Sequence, residues 1–163
     1  MCERALEYFK RSFFAVDGLW FMMIEEATSF DKALEIDKKV WRVMPKIQCK
    51  KLREIYDLQG NTLRDLAKAV TIKLSLEGYK ADIEDAGEDR AIIKINECPW
   101  YNIMKKSGRE KLAARVGEKI CSVEYQGWAE CFDKKIRFTL STQLCKGAEP
   151  CQLEFKKTSP STT

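Results

Sequence analysis

The spacing of apolar residues first changes from helical to alternating close to residue 79, and this change decides the fold class. Before it, large apolar side chains recur every three or four positions, which places them on one face of a helix. After it, segments of alternating apolar and polar residues are typical of half-buried strands. The pattern predicts helices at residues 2–15, 19–27, 30–55, 62–77 and 109–132, and a short helix or a turn at 99–106. It predicts strands at 79–84, 90–97, 136–141 and 151–155.

Two interruptions are expected within the amino-terminal helices. Val16, Asp17 and Gly18 separate the first two helical segments, and Pro45 predicts a kink or break near Val43 and Met44. Runs of helices followed by strands, with a long helix between two hairpins, predict an α+β domain.

Length and charge limit the possible domain organisation and partners of the chain. With 163 residues, a single domain at 1–156 followed by a polar tail at 157–163 is expected. The net charge of +4 is spread along the sequence, so it predicts no nucleic-acid partner. The longest apolar run, residues 18–24, is far shorter than the ~20 residues of a membrane span, which predicts a cytoplasmic protein with no membrane partner.

The chain has seven cysteines and no histidine. The lack of histidine excludes Ser-His-Asp and Cys-His catalytic pairs and mixed Cys/His zinc sites. An odd number of cysteines without a signal sequence favours reduced thiols, metal ligands or buried small side chains over a disulfide framework.

Four cysteines of the carboxy-terminal half are the candidate metal ligands: Cys98, Cys121, Cys145 and Cys151. Strand alternation places Cys151 on the inward face of the last strand, and thiolates without histidine favour zinc or an iron–sulfur cluster. The alternative is that these cysteines are buried small side chains. The other three, Cys2, Cys49 and Cys131, are interpreted as packing residues.

Four further residues are candidates for a ligand pocket. Glu124 and Trp128 share a helix face with Cys121, a mixture typical of a pocket wall, although a structural role is an equal alternative. Asp17 and Trp20 lie among the large amino-terminal aromatic residues, which form either core or the lining of an apolar pocket. A carboxylate there could be a general base with a raised pKa or a turn residue.

The segment 144–155, in which a glycine-containing turn leads to a cysteine and an apolar strand, resembles the closing hairpin of 4-vinyl-reductase-type small-molecule-binding domains. The spread of Cys98, Cys121 and Cys151 resembles the related family named after L-2-amino-thiazoline-4-carboxylic acid hydrolase. Segments 16–21 and 33–41 are similar to an uncharacterised archaeal and bacterial group in the same neighbourhood. The resemblance implies helices packed on an antiparallel sheet around a ligand pocket, with these three cysteines as site thiols.

These observations predict a small-molecule-binding accessory or sensor domain whose cysteine cluster holds zinc or an iron–sulfur cluster. A second hypothesis, which rests on the resemblance for its activity, is a hydrolase of a small sulfur- or nitrogen-containing ring with a cysteine nucleophile of depressed pKa. A third is an interaction module in which the apolar segment 19–24 mediates homodimerisation.

Overall fold

Five α-helices and one four-stranded antiparallel sheet form the part of the chain that the structure describes. The computed structural model describes residues 2–158, with Cys2 as backbone only, so the side chain of Cys2 and residues 159–163 of the predicted tail lie outside it. The helices are α1 Cys2–Ala27, α2 Phe30–Ile55, α3 Leu63–Leu76, α4 Pro99–Lys106 and α5 Glu110–Phe132. The strands are β1 Lys80–Ala86, β2 Arg90–Glu97, β3 Ile136–Thr142 and β4 Cys151–Lys157. The predicted α+β class, with a long helix between two hairpins, is confirmed.

The sheet has the strand order β1-β2-β4-β3, so the second strands of the two hairpins lie side by side in its centre. Ile93 is opposite Leu153, and Leu153 is in turn opposite Leu140 on β3. Residues directly opposite one another share a face, and the central apolar residues of this face are buried against the helices. The same register places Cys151 opposite Ile95 on the helix-facing side, as its parity predicts.

Helix α1 is continuous through residues 16–18, so the predicted interruption there is wrong. One glycine in a helix costs only about 1 kcal/mol relative to alanine. Aromatic contacts of Phe13 with Trp41 and of Phe21 with Phe30 on α2 fix the helix on both sides of Gly18. Within residues 2–158, α1 and the other helices all lack the combination of length and apolarity needed to cross a bilayer.

Helix α3 begins with a reciprocal cap between Thr62 and Asp65. The Thr62 hydroxyl accepts a hydrogen bond from the Asp65 N–H, and the Asp65 carboxylate accepts one from the Thr62 N–H. Two backbone N–H groups that the helix leaves free are thereby satisfied.

Helices α2 and α5 run in the same direction and are joined by a disulfide. Pro45, buried inside α2, packs on Gly127 of α5, and one turn further along Cys49 is bonded to Cys131. The interpretation of these two cysteines as unpaired packing residues is therefore wrong. Their separation of 82 residues and their location on different helices left no local signal for the pairing.

We expect the Cys49→Ala/Cys131→Ala double variant to lose about 2–4 kcal/mol of unfolding free energy, because the cross-link restricts the unfolded chain. Urea denaturation with and without reductant measures this. Reductant should lower the stability of the wild type to that of the variant and leave the variant unchanged. A wild type that is insensitive to reductant would contradict the disulfide.

Candidate functional site

All four candidate thiols line one cavity of about 70 Å³ between the sheet, α5 and the amino-terminal helices. Cys98, Cys121, Cys145 and Cys151 are unpaired and half-buried, and the surrounding walls are mainly apolar. We name this space the thiol cavity. Its other principal lining residues are aromatic or acidic: Phe14, Trp41, Tyr79, Trp100, Tyr125, Asp17, Asp37, Glu77 and Glu124.

Each thiol reaches the cavity from a different element. Cys98 caps α4, where its Sγ accepts a hydrogen bond from the Tyr101 N–H at 3.4 Å. Cys151 begins β4 and accepts one from the Leu144 N–H at 3.1 Å. Cys145 lies in the short 3₁₀ turn before β4, and Cys121 projects from α5.

The thiols share a cavity but do not form a metal site. Within residues 2–158, no group of three or more Cys, Asp or Glu side chains has a geometry that could hold a metal ion. The prediction that Cys98, Cys121, Cys145 and Cys151 bind zinc or an iron–sulfur cluster is therefore wrong. A metal site requires the sulfur atoms to converge on one point, whereas these thiols only share an apolar space. Strand alternation predicts which face a cysteine lies on, but not whether several sulfur atoms converge.

Burial keeps these thiols protonated. It raises the pKa of Cys98 to about 11 and raises the pKa of Cys121, Cys145 and Cys151 above the ordinary value. A nucleophilic cysteine needs a depressed pKa, because the thiolate is the reactive form. The thiols therefore lack the electrostatic property that the hydrolase hypothesis requires.

A second cavity of about 130 Å³ adjoins the first beneath α1. The two share five lining residues: Phe14, Asp17, Asp37, Trp100 and Val116. Asp17 on α1 and Asp37 on α2 are thus the polar groups at the junction of two apolar spaces. Burial, reinforced by the charge of Asp17, raises the pKa of Asp37 to about 7, and a hydrogen bond with Trp41 only partly opposes it. Burial also raises the pKa of Asp17.

A buried ion cluster lies behind the wall of the thiol cavity. Lys73 of α3 forms ion pairs with Glu124 of α5 and, at 2.9 Å, with Glu77. Its Nζ also lies 5.7 and 5.5 Å from the ring centres of Tyr79 and Tyr125. Burial alone would lower the pKa of Lys73, but the two carboxylates outweigh it and raise that pKa. Lys73 therefore stays charged and provides the counter-charge that lets Glu124 lie in an apolar wall.

Two of the four predicted pocket residues, Asp17 and Glu124, line the thiol cavity. Trp128 is fully buried in the main core, and Trp20 is 68% exposed on the outer side of α1; neither lines the cavity. Asp37 and Lys73 were missed as candidates. The sequence marks Asp37 as unusual, because it is the one charge inside the apolar stripe of its helix. Nothing in the sequence distinguishes Lys73 from an ordinary helix lysine.

The outer side of α1 is apolar and exposed. We name it the α1 apolar face, and its large side chains are 41% to 68% exposed: Leu6, Tyr8, Phe9, Val16, Leu19, Trp20, Met22 and Met23, of which Met22 at the edge of the face also borders the second cavity. Between Arg11 and Glu25 the helix has one charge, Asp17, which points to the cavities instead. A water-exposed face of this kind is typical of an interaction surface.

A protein-family model covers residues 3–152 of the chain. The chain belongs to DUF6125, a family of unknown function. No curated protein matches this DUF6125 member significantly. Among solved structures, its fold is similar to trafficking protein particle complex subunit 3 from Naegleria fowleri, a structure in which that subunit is covalently bound to palmitic acid. The match has a TM-score of 0.65 at 10% identity and covers 94% of this chain and 97% of the other.

The comparison and the cavity together correct the main functional prediction. A sensor domain built on a metal-holding cysteine cluster is not supported, because the described residues contain no group that could hold a metal ion, and the fold is similar to that of a trafficking protein particle complex subunit.

The pH dependence of the free energy of unfolding tests whether Asp37, at the junction of the two cavities, has a raised pKa. A carboxyl whose pKa rises from 3.8 to about 7 on folding makes its full contribution to the free energy of unfolding below about pH 4. This contribution is lost as the pH rises to 7. We expect Asp37→Asn to gain about 1–3 kcal/mol of stability relative to wild type on going from pH 5 to pH 8. Urea denaturation at both pH values measures this difference.

Asp85→Asn, on the exposed side of β1, is the matched control and should follow the wild type at both pH values. A wild type and an Asp37→Asn variant with parallel pH profiles would show that Asp37 ionises normally in the folded protein.

Proposed function

We propose that this protein is an interaction module that forms a homodimer through the α1 apolar face. The observation that carries the proposal is the exposure of eight large apolar side chains on one helix. Monomeric proteins rarely leave a contiguous apolar patch of more than a few hundred Å² in water.

The size of the face is of the same order as the area that a stable dimer buries. Three of the eight side chains are aromatic, with about 150–250 Å² each, and the aliphatic ones are smaller, so at roughly half exposure the eight together present several hundred Å². A standard interface buries about 800 Å² per partner. The face also includes tryptophan, tyrosine, phenylalanine and methionine, the residue types enriched at interface centres.

The packing of α1 supports the same proposal. Its inner side contacts α2 through Phe13 and Phe21, and its carboxy-terminal end is held by the ion pair of Glu25 with Arg109. These contacts fix the helix without using Phe9, Trp20 or Met23. A second copy of the same helix is a self-complementary partner for such a face in a twofold dimer. The complex-subunit fold neighbour also favours an interaction role.

Charge substitution on the face tests the proposal. We expect wild-type protein to sediment as a dimer and Phe9→Asp/Trp20→Asp to sediment as a folded monomer, since two carboxylates cannot be buried unpaired. Sedimentation velocity with circular dichroism measures mass and folding together.

Ile55→Asp, on an equally exposed position at the end of α2, is the control and should remain dimeric. A wild type that is monomeric at micromolar concentration, or a double variant that stays dimeric, would contradict the proposal. Unfolding of the double variant would assign these side chains to the core instead.

A second candidate function concerns the thiol cavity, which we propose accepts an aliphatic chain. Its walls are apolar, it adjoins a second cavity, and the fold neighbour holds palmitic acid. Because burial raises the pKa of all four thiols, non-covalent binding is favoured over thioester formation.

Filling the junction of the cavities tests this candidate. We expect Val116→Phe to weaken binding of cis-parinaric acid, a fluorescent fatty acid, by about ten-fold, because Val116 lines both cavities. Val123→Phe, the same change two turns along α5 and outside both cavities, is the control. Fluorescence titration measures both, and equal affinity of the two variants would sink the candidate.

The resemblance to the hydrolase and 4-vinyl-reductase-type families and the cytoplasmic location stay predictions from the sequence. The Cys49–Cys131 disulfide argues against a cytoplasmic location, since disulfides are rare in reducing compartments.

A further inference from the structure

The outward side of α2 has a repeated pairing of a cation with an aliphatic residue. Lys39-Val40, Arg42-Val43 and Lys46-Ile47 recur at intervals of three and four residues, and Lys50 continues the series. This spacing places the four cations along one ridge of the helix and the aliphatic residues along the neighbouring ridge. All seven side chains are exposed.

The four cations are not used within the protein. Among residues 2–158, Lys39, Arg42, Lys46 and Lys50 form neither an ion pair nor a side-chain hydrogen bond, whereas Lys32 and Lys51 on the same helix are paired with Glu35 and Glu54. The opposite side of α2 is buried through Trp41, Pro45, Cys49 and Leu52. The ridge is therefore held rigidly on the domain surface with its charges free for a partner.

The aliphatic ridge is the second observation. Val40, Val43 and Ile47 are each about half exposed, in direct sequence with the cations. A partner that binds both ridges must present anionic groups next to an apolar layer. A lipid headgroup region does so, because phosphate and carboxylate groups lie just above the acyl chains.

We propose that this face of α2 docks on the surface of an anionic lipid bilayer. Nucleic acid is the rival partner for a row of cations, but its phosphate backbone has no apolar layer for a ridge of branched aliphatic side chains. Nucleic-acid surfaces also use aromatic residues for base stacking, and none lies between Lys39 and Lys50 on the exposed side. The docking is peripheral, and it uses different residues from the α1 apolar face.

Vesicle co-sedimentation of the full chain tests the proposal. Wild-type protein should bind phosphatidylcholine vesicles that contain about one third phosphatidylserine, bind pure phosphatidylcholine much less, and dissociate at high salt. Arg42→Gln/Lys46→Gln should weaken binding about 25-fold, because each cation near an anionic surface contributes roughly a five-fold factor. Val43→Ser/Ile47→Ser should weaken it as well.

Arg64→Gln/Lys68→Gln on α3 is the matched control, with the same residue types, spacing and exposure and no ion pair within the described chain. It should bind as wild type does. Equal binding by Arg42→Gln/Lys46→Gln and this control would overturn the proposal, as would equal binding to neutral vesicles. Tighter binding to a DNA duplex than to phosphatidylserine vesicles would reassign the ridge to nucleic acid. Circular dichroism confirms that each variant is folded.

Discussion

Helices α2 and α5 lie side by side because a glycine on one receives a proline from the other. A Cβ on Gly127 would lie 3.0 Å from the Cβ of Pro45, so a larger residue would force the helices apart. Pro45 has no N–H, and its burial against Gly127 offsets what the proline costs α2. The Cys49–Cys131 bond one turn on fixes the same approach covalently. The two contacts set α5 between α2 and the sheet, and the other elements are placed relative to it.

The position of α5 then determines the thiol cavity. Gly117, near its start, allows the 3₁₀ turn to approach so closely that an added Cβ would lie 2.9 Å from Cys145 Sγ. Cys121 and Glu124 follow on the same helix and complete the wall. Glu124 is tolerable in this wall because Lys73 of α3 is buried beside it. The position of the thiol cavity therefore depends on the close contacts at Gly117 and Gly127 and on the buried ion pair of Lys73 with Glu124.

Much of the fold could be predicted from local patterns. The strand parity that turns Cys151 inward and the long helix between hairpins follow from the spacing of neighbouring residues, and both are present. The disulfide could not be predicted, because its partners meet only through the packing of two distant helices. The site was predicted in part: alternation brings thiols to one face, but the angular arrangement that a metal requires depends on tertiary geometry. The cationic ridge of α2 is not apparent along the sequence, because its four cations become neighbours only when the chain is wound into a helix.

Helix α1 shows why hydrophobicity alone does not separate core from interface. Its segment 19–24 is almost entirely large and apolar, which suggests burial on most sides, yet Leu19, Trp20, Met22 and Met23 are exposed. Phe13 and Phe21 on the inner side pack against Trp41 and Phe30 of α2. A helix gains most of its stability from the packing of its faces and not from intrinsic propensity. Since the inner face of α1 also covers the junction of the two cavities, whatever stabilises its outer face stabilises the cavity wall as well.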